Sequence, residues 1–150
     1  MTQDAKVVIE RELKVPVDRV FSAWTDPAKL CRWFKSSQAM KIEAADVDLQ
    51  VGGGYRIVLK DEDGDTMVVF GHYTRIEPPQ LLEFTWQWEV SSLEKGETLV
   101  LVELLPHTVG TLMRLTHTRF SSERSYQAHE MGWSGVLATL TAFVESEDPS

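Results

Sequence analysis

Four histidines, five tryptophans and a single cysteine are the residues through which this 150-residue chain could do chemistry. The histidines are His72, His107, His117 and His129. None forms an HxxxH or HExxH pair, and Cys31 has no second cysteine for a disulfide or a cysteine cage, so no metal site is expected. His129 and Trp133 stand four residues apart and share a face wherever the chain is helical. His117 lies in what reads as the last strand. Two histidines beside a cavity would orient a polar ligand group or serve as acid and base near neutral pH; the plainer alternative is a pair of core histidines satisfied by hydrogen bonds. Cys31 has only Arg32 as a basic neighbour in sequence and reads as a helix-packing thiol.

Aromatic residues form the second set. Phe84, Trp86 and Trp88 alternate along one strand, so their side chains emerge on one face. If that face is concave, they line an interior that Trp24, Trp33 and Phe34 would close at one end and Trp133 would face from a helix. Indole and phenol rings suit a ligand pocket, offering a large apolar area and one polar handle. The same rings would also serve as solid core. Two further patterns read as backbone features. Gly52-Gly53-Gly54 lacks the following Lys-Ser/Thr of a phosphate loop and precedes a strand, which makes it a turn. Asp61, Asp63 and Asp65 alternate around Gly64 without the downstream glutamate of a calcium loop, and read as a hairpin tip. No catalytic residue and no cofactor is assigned.

The elements that must position these residues are legible in the pattern. Lys6 to Leu13 alternates as a first strand. Pro16 suits a first helical turn, and Val17, Val20, Phe21 and Trp24 follow at helical spacing. Asp26-Pro27 is a second helix start, leading to Leu30, Trp33 and Phe34. Strands follow at Lys41–Val47, Tyr55–Lys60, Thr66–Ile76 and Leu81–Trp88. Pro78-Pro79 ends the third of these, since neither proline donates to a ladder. Ser91 to Gly96 reads as a polar loop. The last two strands are Glu97–Leu105 and Gly110–Arg119, turned near Pro106 and Gly110. From Ser122 the period changes: Tyr126, His129, Glu130, Trp133, Val136, Leu137, Leu140, Phe143 and Val144 recur as one long amphipathic helix. Glu145 to Ser150 is a polar tail.

Tight turns imply antiparallel neighbours, and one apolar-faced helix must pack on one face of the sheet. The fold class is therefore α+β: a helix-grip in which a curved antiparallel sheet of about six to seven strands wraps a long C-terminal α-helix, with two short helices after the first strand. Residues 1–150 are expected to form a single domain. Hydrophobic residues make up 43% and charged residues 25%, the balance of a folded globular chain. The net charge of -8 disfavours nucleic acid and anionic membrane surfaces as partners. With no secretory leader and no run of apolar residues long enough to span a bilayer, a cytoplasmic protein is expected.

In order and local motif the chain resembles the START-like, birch-pollen-allergen-like superfamily of lipophilic-pocket proteins. Within it, the chain looks like the branch named after the C-terminal domain of the heat-shock protein 90 ATPase activator. The resemblance rests on Pro16 through Val20-Phe21-Ser22-Ala23-Trp24, Asp26-Pro27 through Leu30 and Trp33-Phe34, and Val51-Gly52-Gly53. It continues through Gly71 with Ile76 and Pro78-Pro79, Leu82 to Trp86, Leu115-Thr116-His117, and His129 with Gly132-Trp133. It runs from about Lys6 to Val144. It implies a hydrophobic small molecule held between sheet and long helix, in a superfamily that also includes cyclases and transport proteins and a chaperone ATPase stimulator. The branch carries no shared catalytic motif to transfer, and the namesake's chaperone activity depends on a further N-terminal domain.

The expected function is thus a binding module for a hydrophobic or aromatic ligand, contacted by Trp24, Trp33, Phe34, Phe84, Trp86, Trp88, His117, His129 and Trp133. The rivals are a cyclase or dehydratase using a cavity histidine, and a chaperone-interaction module. One feature points outward. Val100, Val102 and Leu104 alternate with Leu99, Leu101 and Leu105, and Leu112 extends the second set, so both faces of the last strands are apolar. Leu99, Leu101, Leu105 and Leu112 are read as a homodimer interface, the alternative being an aggregation-prone patch.

Overall fold

The structure is a computed structural model that describes residues 5–89, 94 and 96–146. Most of the expected polar loop from Ser91 to Gly96, and the tail beyond Ser146, lie outside the described residues. The chain runs β1 (Val7–Leu13), α1 (Val17–Thr25), α2 (Pro27–Trp33), β2 (Lys41–Val47), β3 (Gly54–Lys60), β4 (Thr66–Glu77), β5 (Leu81–Trp88), β6 (Thr98–His107), β7 (Gly110–Thr118) and α3 (Glu123–Ser146). This is the α+β helix-grip expected from the pattern.

All seven strands form one antiparallel sheet in the order β1-β7-β6-β5-β4-β3-β2. Strands β1 and β2 follow each other in sequence but form opposite edges of the sheet. Helices α1 and α2 carry the chain between those edges, which puts them across one end of the concave face. Their boundary is fixed locally: Asp26 accepts from the Ala28 N–H at 2.9 Å, and Pro27 opens α2 where its missing N–H costs nothing. Pro16 sits one position earlier than expected, as the N-cap of α1.

The buried face of α3 is Ser125, His129, Trp133, Leu137, Leu140 and Val144, a stripe at spacings of three and four. Glu130, counted in that stripe by its spacing, is exposed, because it falls just outside the arc that meets the sheet. The inward strand residues include Val100, Val102 and Leu104 on β6 and Met113, Leu115 and His117 on β7. The concave face is therefore the one that carries Phe84 and Trp86. Two glycines permit close approach: Gly53 lies against Asp48 in the β2–β3 turn, and Gly135 lets α3 press on the backbone at Ser36. The turn between β6 and β7 falls after His107, so Pro106 is in the strand, paired with Thr111. The β5–β6 pairing ends at Leu81 and Glu103, and there the missing N–H of Pro106 faces no partner strand.

On the outer face the leucines are divided. Leu105 pairs across the strands with Leu112, and Leu101 with Thr116. Between them runs a charged row in which Glu103 pairs with Arg114 and Arg114 with Glu10, the latter bridged at 2.8 Å. Leu99, Leu101 and Leu112 are half-buried, and Leu105 is exposed. No helix among the described residues is long and apolar enough to cross a membrane.

Candidate functional site

Between the sheet and α3 lies a cavity of about 290 Å³. Trp86 and Trp88 reach it from β5, and His129, Gly132, Trp133 and Val136 from α3. Leu59 and Met67 enter from β3 and β4, and Phe34, Lys35, Ser36 and Met40 from the segment leaving α2. Deeper in is a second void of about 20 Å³, walled by Trp24, Phe34, Tyr55, Tyr73, Phe84, Trp86 and aliphatic carbon. Phe34 and Trp86 belong to both and form the partition.

Of the nine residues expected at a ligand site, five line the outer chamber: Phe34, Trp86, Trp88, His129 and Trp133. Trp24 and Phe84 line the inner void. Trp33 and His117 border neither. Trp33 is fully buried, packs edge-on against Trp24 at 4.8 Å and donates its indole N–H to Ala23 O at 2.9 Å. His117 is fully buried behind Trp86 and Trp133. Strand parity could have found Leu59 and Met67, since Tyr55, Ile57 and Leu59 alternate inward on β3. No sequence signal marked Lys35, Ser36 and Met40, which reach the cavity only because the chain turns there between α2 and β2.

The hydrogen bonds settle what the histidines do. Trp133 Nε1 donates to His117 Nδ1 at 2.9 Å. Indole N–H only donates, so Nδ1 carries no proton and the neutral ring bears it on Nε2. That nitrogen donates to Thr98 Oγ1 at 2.7 Å, and the threonine hydroxyl donates onward to Trp86 O at 2.9 Å. At the second ring, Trp88 Nε1 donates to His129 Nε2 at 3.1 Å, which puts the proton on Nδ1, where it meets Ser125 O at 2.8 Å. The rings lie 5.0 Å apart. Each histidine thus uses its one lone pair to hold an indole, and neither offers a free lone pair to the cavity.

Electrostatics agree with the geometry. Burial holds His117 well below the ordinary imidazole value, and the neighbouring His129 adds to the effect. Burial also lowers His129, against an opposing pull from Ser125 O and Glu94. Glu94 is a buried carboxylate that the sequence did not mark. It accepts from Ser121 N at 2.9 Å and Ser125 Oγ at 2.8 Å at the start of α3, where a negative charge suits the helix dipole. Burial pushes this carboxyl up, but hydrogen bonds from Ser121, Ser125 and Gly96 outweigh it and hold it below the usual carboxylate value. Burial, and then Asp46, push the Cys31 thiol up, away from nucleophile chemistry. At the β3–β4 tip, Asp61 Oδ1 accepts from the N–H groups of Asp63 and Asp65, the hydrogen bonding of a tight turn.

A model of the Activator of Hsp90 ATPase homolog 1-like protein family matches residues 14–145. No curated protein matches the chain. Among solved structures it is similar to a protein of Chromobacterium violaceum, at 22% identity and a TM-score of 0.85 over 95% of this chain and 99% of that one. A Rhizobium leguminosarum protein is 28% identical, with a TM-score of 0.83 and 95% of each chain covered. A Silicibacter pomeroyi protein is 27% identical, with a TM-score of 0.81 over 93% of this chain and 97% of that one.

Proposed function

The chain belongs to the Activator of Hsp90 ATPase homolog 1-like protein family, and we propose that it is a binding module holding an apolar or aromatic small molecule between the sheet and α3. The carrying observation is the outer cavity, about 290 Å³ of space walled by Phe34, Trp86, Trp88 and Trp133. That volume is close to the lower end of known small-molecule sites, at roughly 300 Å³. Proteins of this fold commonly bind hydrophobic ligands. Affinity would come from removing apolar area from water, about 25 cal/mol per Å², less the cost of immobilising the ligand.

In this reading His117 and His129 are positioning residues that hold Trp133 and Trp88 in the cavity wall. A general base needs a free lone pair, and both are occupied by indole N–H groups. The proposed ligand contacts are therefore Phe34, Trp86, Trp88, His129 and Trp133, with Trp24 and Phe84 behind them.

Gly132 supplies the test. It lines the cavity, and a Cβ placed on it would meet nothing within 4 Å. Gly132→Leu should fill the chamber while keeping the helix, since leucine is the better helix former. Native mass spectrometry of freshly purified protein should show a small-molecule mass excess on the wild type that is lost in the variant. Aromatic probes titrated against tryptophan fluorescence should follow the same pattern. Equal binding by both proteins would overturn the proposal.

A further inference from the structure

Two of the five indoles have no partner for their N–H among the described residues. Trp33, Trp88 and Trp133 each donate to an identified acceptor. The Nε1 atoms of Trp24 and Trp86 are buried and meet no acceptor, although the residues are only 3% and 5% exposed. Buried N–H groups are almost always paired, because an unpaired one forfeits its bond to water with no return. Both indoles wall the inner void. That void, at about 20 Å³, is large enough for one oxygen-sized group.

We propose that the inner void is the polar subsite of the ligand pocket: the ligand's body fills the outer chamber, and one uncharged hydrogen-bond acceptor, a carbonyl or ether oxygen, reaches past Phe34 and Trp86 to the unpartnered indoles. This rests on the binding reading given above and adds the chemical class of the ligand. Three observations select that class. The unpartnered groups are donors, so the ligand must supply an acceptor. Among the described residues no charged side chain lines the inner void, so a carboxylate or phosphate would be buried there without a counter-charge. The void is small and shares Phe34 and Trp86 with the larger chamber, which fits a terminal oxygen on a flat apolar body and not a polar chain.

The test uses a matched pair of probes, acetylnaphthalene and ethylnaphthalene, which share one ring system and differ in the carbonyl oxygen. Each is titrated calorimetrically into wild type, Trp86→Phe and Trp24→Phe. Comparing the ratio of the two affinities between wild type and variant cancels the difference in water solubility between the probes. The ratio should fall about tenfold in favour of the alkyl probe in at least one variant, the loss of one well-made hydrogen bond to a buried donor. Should a variant fail to fold, the wild-type indole N–H resonances give the same answer. Those of Trp86 or Trp24 should move downfield with the ketone and not with the alkyl probe. If both probes bind with an unchanged ratio and no indole shift, the acceptor subsite is refuted while the apolar cavity stands. If neither probe binds the wild type, the binding reading fails and takes the subsite with it.

Discussion

Acidification should destabilise this protein in a window set by His117. The ring is fully buried, its Nδ1 receives the Trp133 N–H, and its Nε2 proton goes to Thr98. A second proton would have to sit on Nδ1, facing an indole hydrogen at 2.9 Å with no carboxylate bonded to the ring. The folded ring therefore stays neutral, whereas the unfolded chain takes up a proton near pH 6.5, the ordinary imidazole value. The unfolded state binds more protons, so stability is complete above pH 6.5 and falls as the pH drops below it. Each unit below costs about 1.4 kcal/mol, so a drop to pH 5 removes about 2 kcal/mol through this one ring. His129 acts in the same direction with less force, since Ser125 O and Glu94 oppose its shift. Glu94, held below its ordinary value, adds to the loss only in the more acid range below about 4.5. Urea unfolding of wild type and His117→Asn from pH 7.5 to about 5 measures the effect. Asparagine keeps an acceptor near the Nδ1 position for Trp133 but does not titrate, so its stability should fall more gently by about one proton's worth of slope. Parallel curves for the two proteins would refute the reasoning, as would an NMR titration placing the folded His117 ring at its ordinary value.

The two glycines of α3 should respond oppositely to the same substitution. Gly132→Ala meets open space and should gain about 1 kcal/mol of helix propensity, whereas Gly135→Ala brings a Cβ to 2.5 Å from Ser36 O and should lose about 1–3 kcal/mol in thermal or urea unfolding. If two copies pair through the outer leucines, they must cover the Arg114–Glu10 bridge together with Leu105 and Leu112. Leu105→Ser should then lower the association constant in sedimentation equilibrium, and a wild type that remains monomeric as concentration rises would eliminate that pairing.

The fold was readable because each element announces itself locally. The change from alternation on β7 to three- and four-residue spacing on α3 needs no distant information, and Asp26-Pro27 marks a helix start from two adjacent residues. Local rules erred where a neighbour decides. Pro106 looked like a strand end, and it is tolerated within β6 only because β5 stops short beside it. Glu130 had the right spacing for the buried stripe, but the sheet covers a narrower arc than the spacing allows. Leu99, Leu101, Leu105 and Leu112 read as one apolar set, yet the register inserts Glu103 and Arg114 between the two halves.

The site was legible as composition and not as wiring. Aromatic parity on β5 and the His129–Trp133 spacing on α3 pick out Trp86, Trp88, His129 and Trp133 of the cavity wall, because each is a property of one element. Which histidine nitrogen holds which indole depends on β5, β7 and α3 meeting in space, and the assignment reverses the chemistry. Read singly, two histidines by a pocket invite acid–base catalysis. Read together, five indoles compete for the available acceptors, and the two histidine lone pairs go to Trp88 and Trp133. Trp33 takes a helix carbonyl. Trp24 and Trp86 are left with none. The shortage of acceptors is thus one fact with two consequences: it occupies the bases that a catalytic reading would need, and it leaves two indoles that wall the inner void with unpartnered donors. A ligand oxygen would supply what the chain itself lacks.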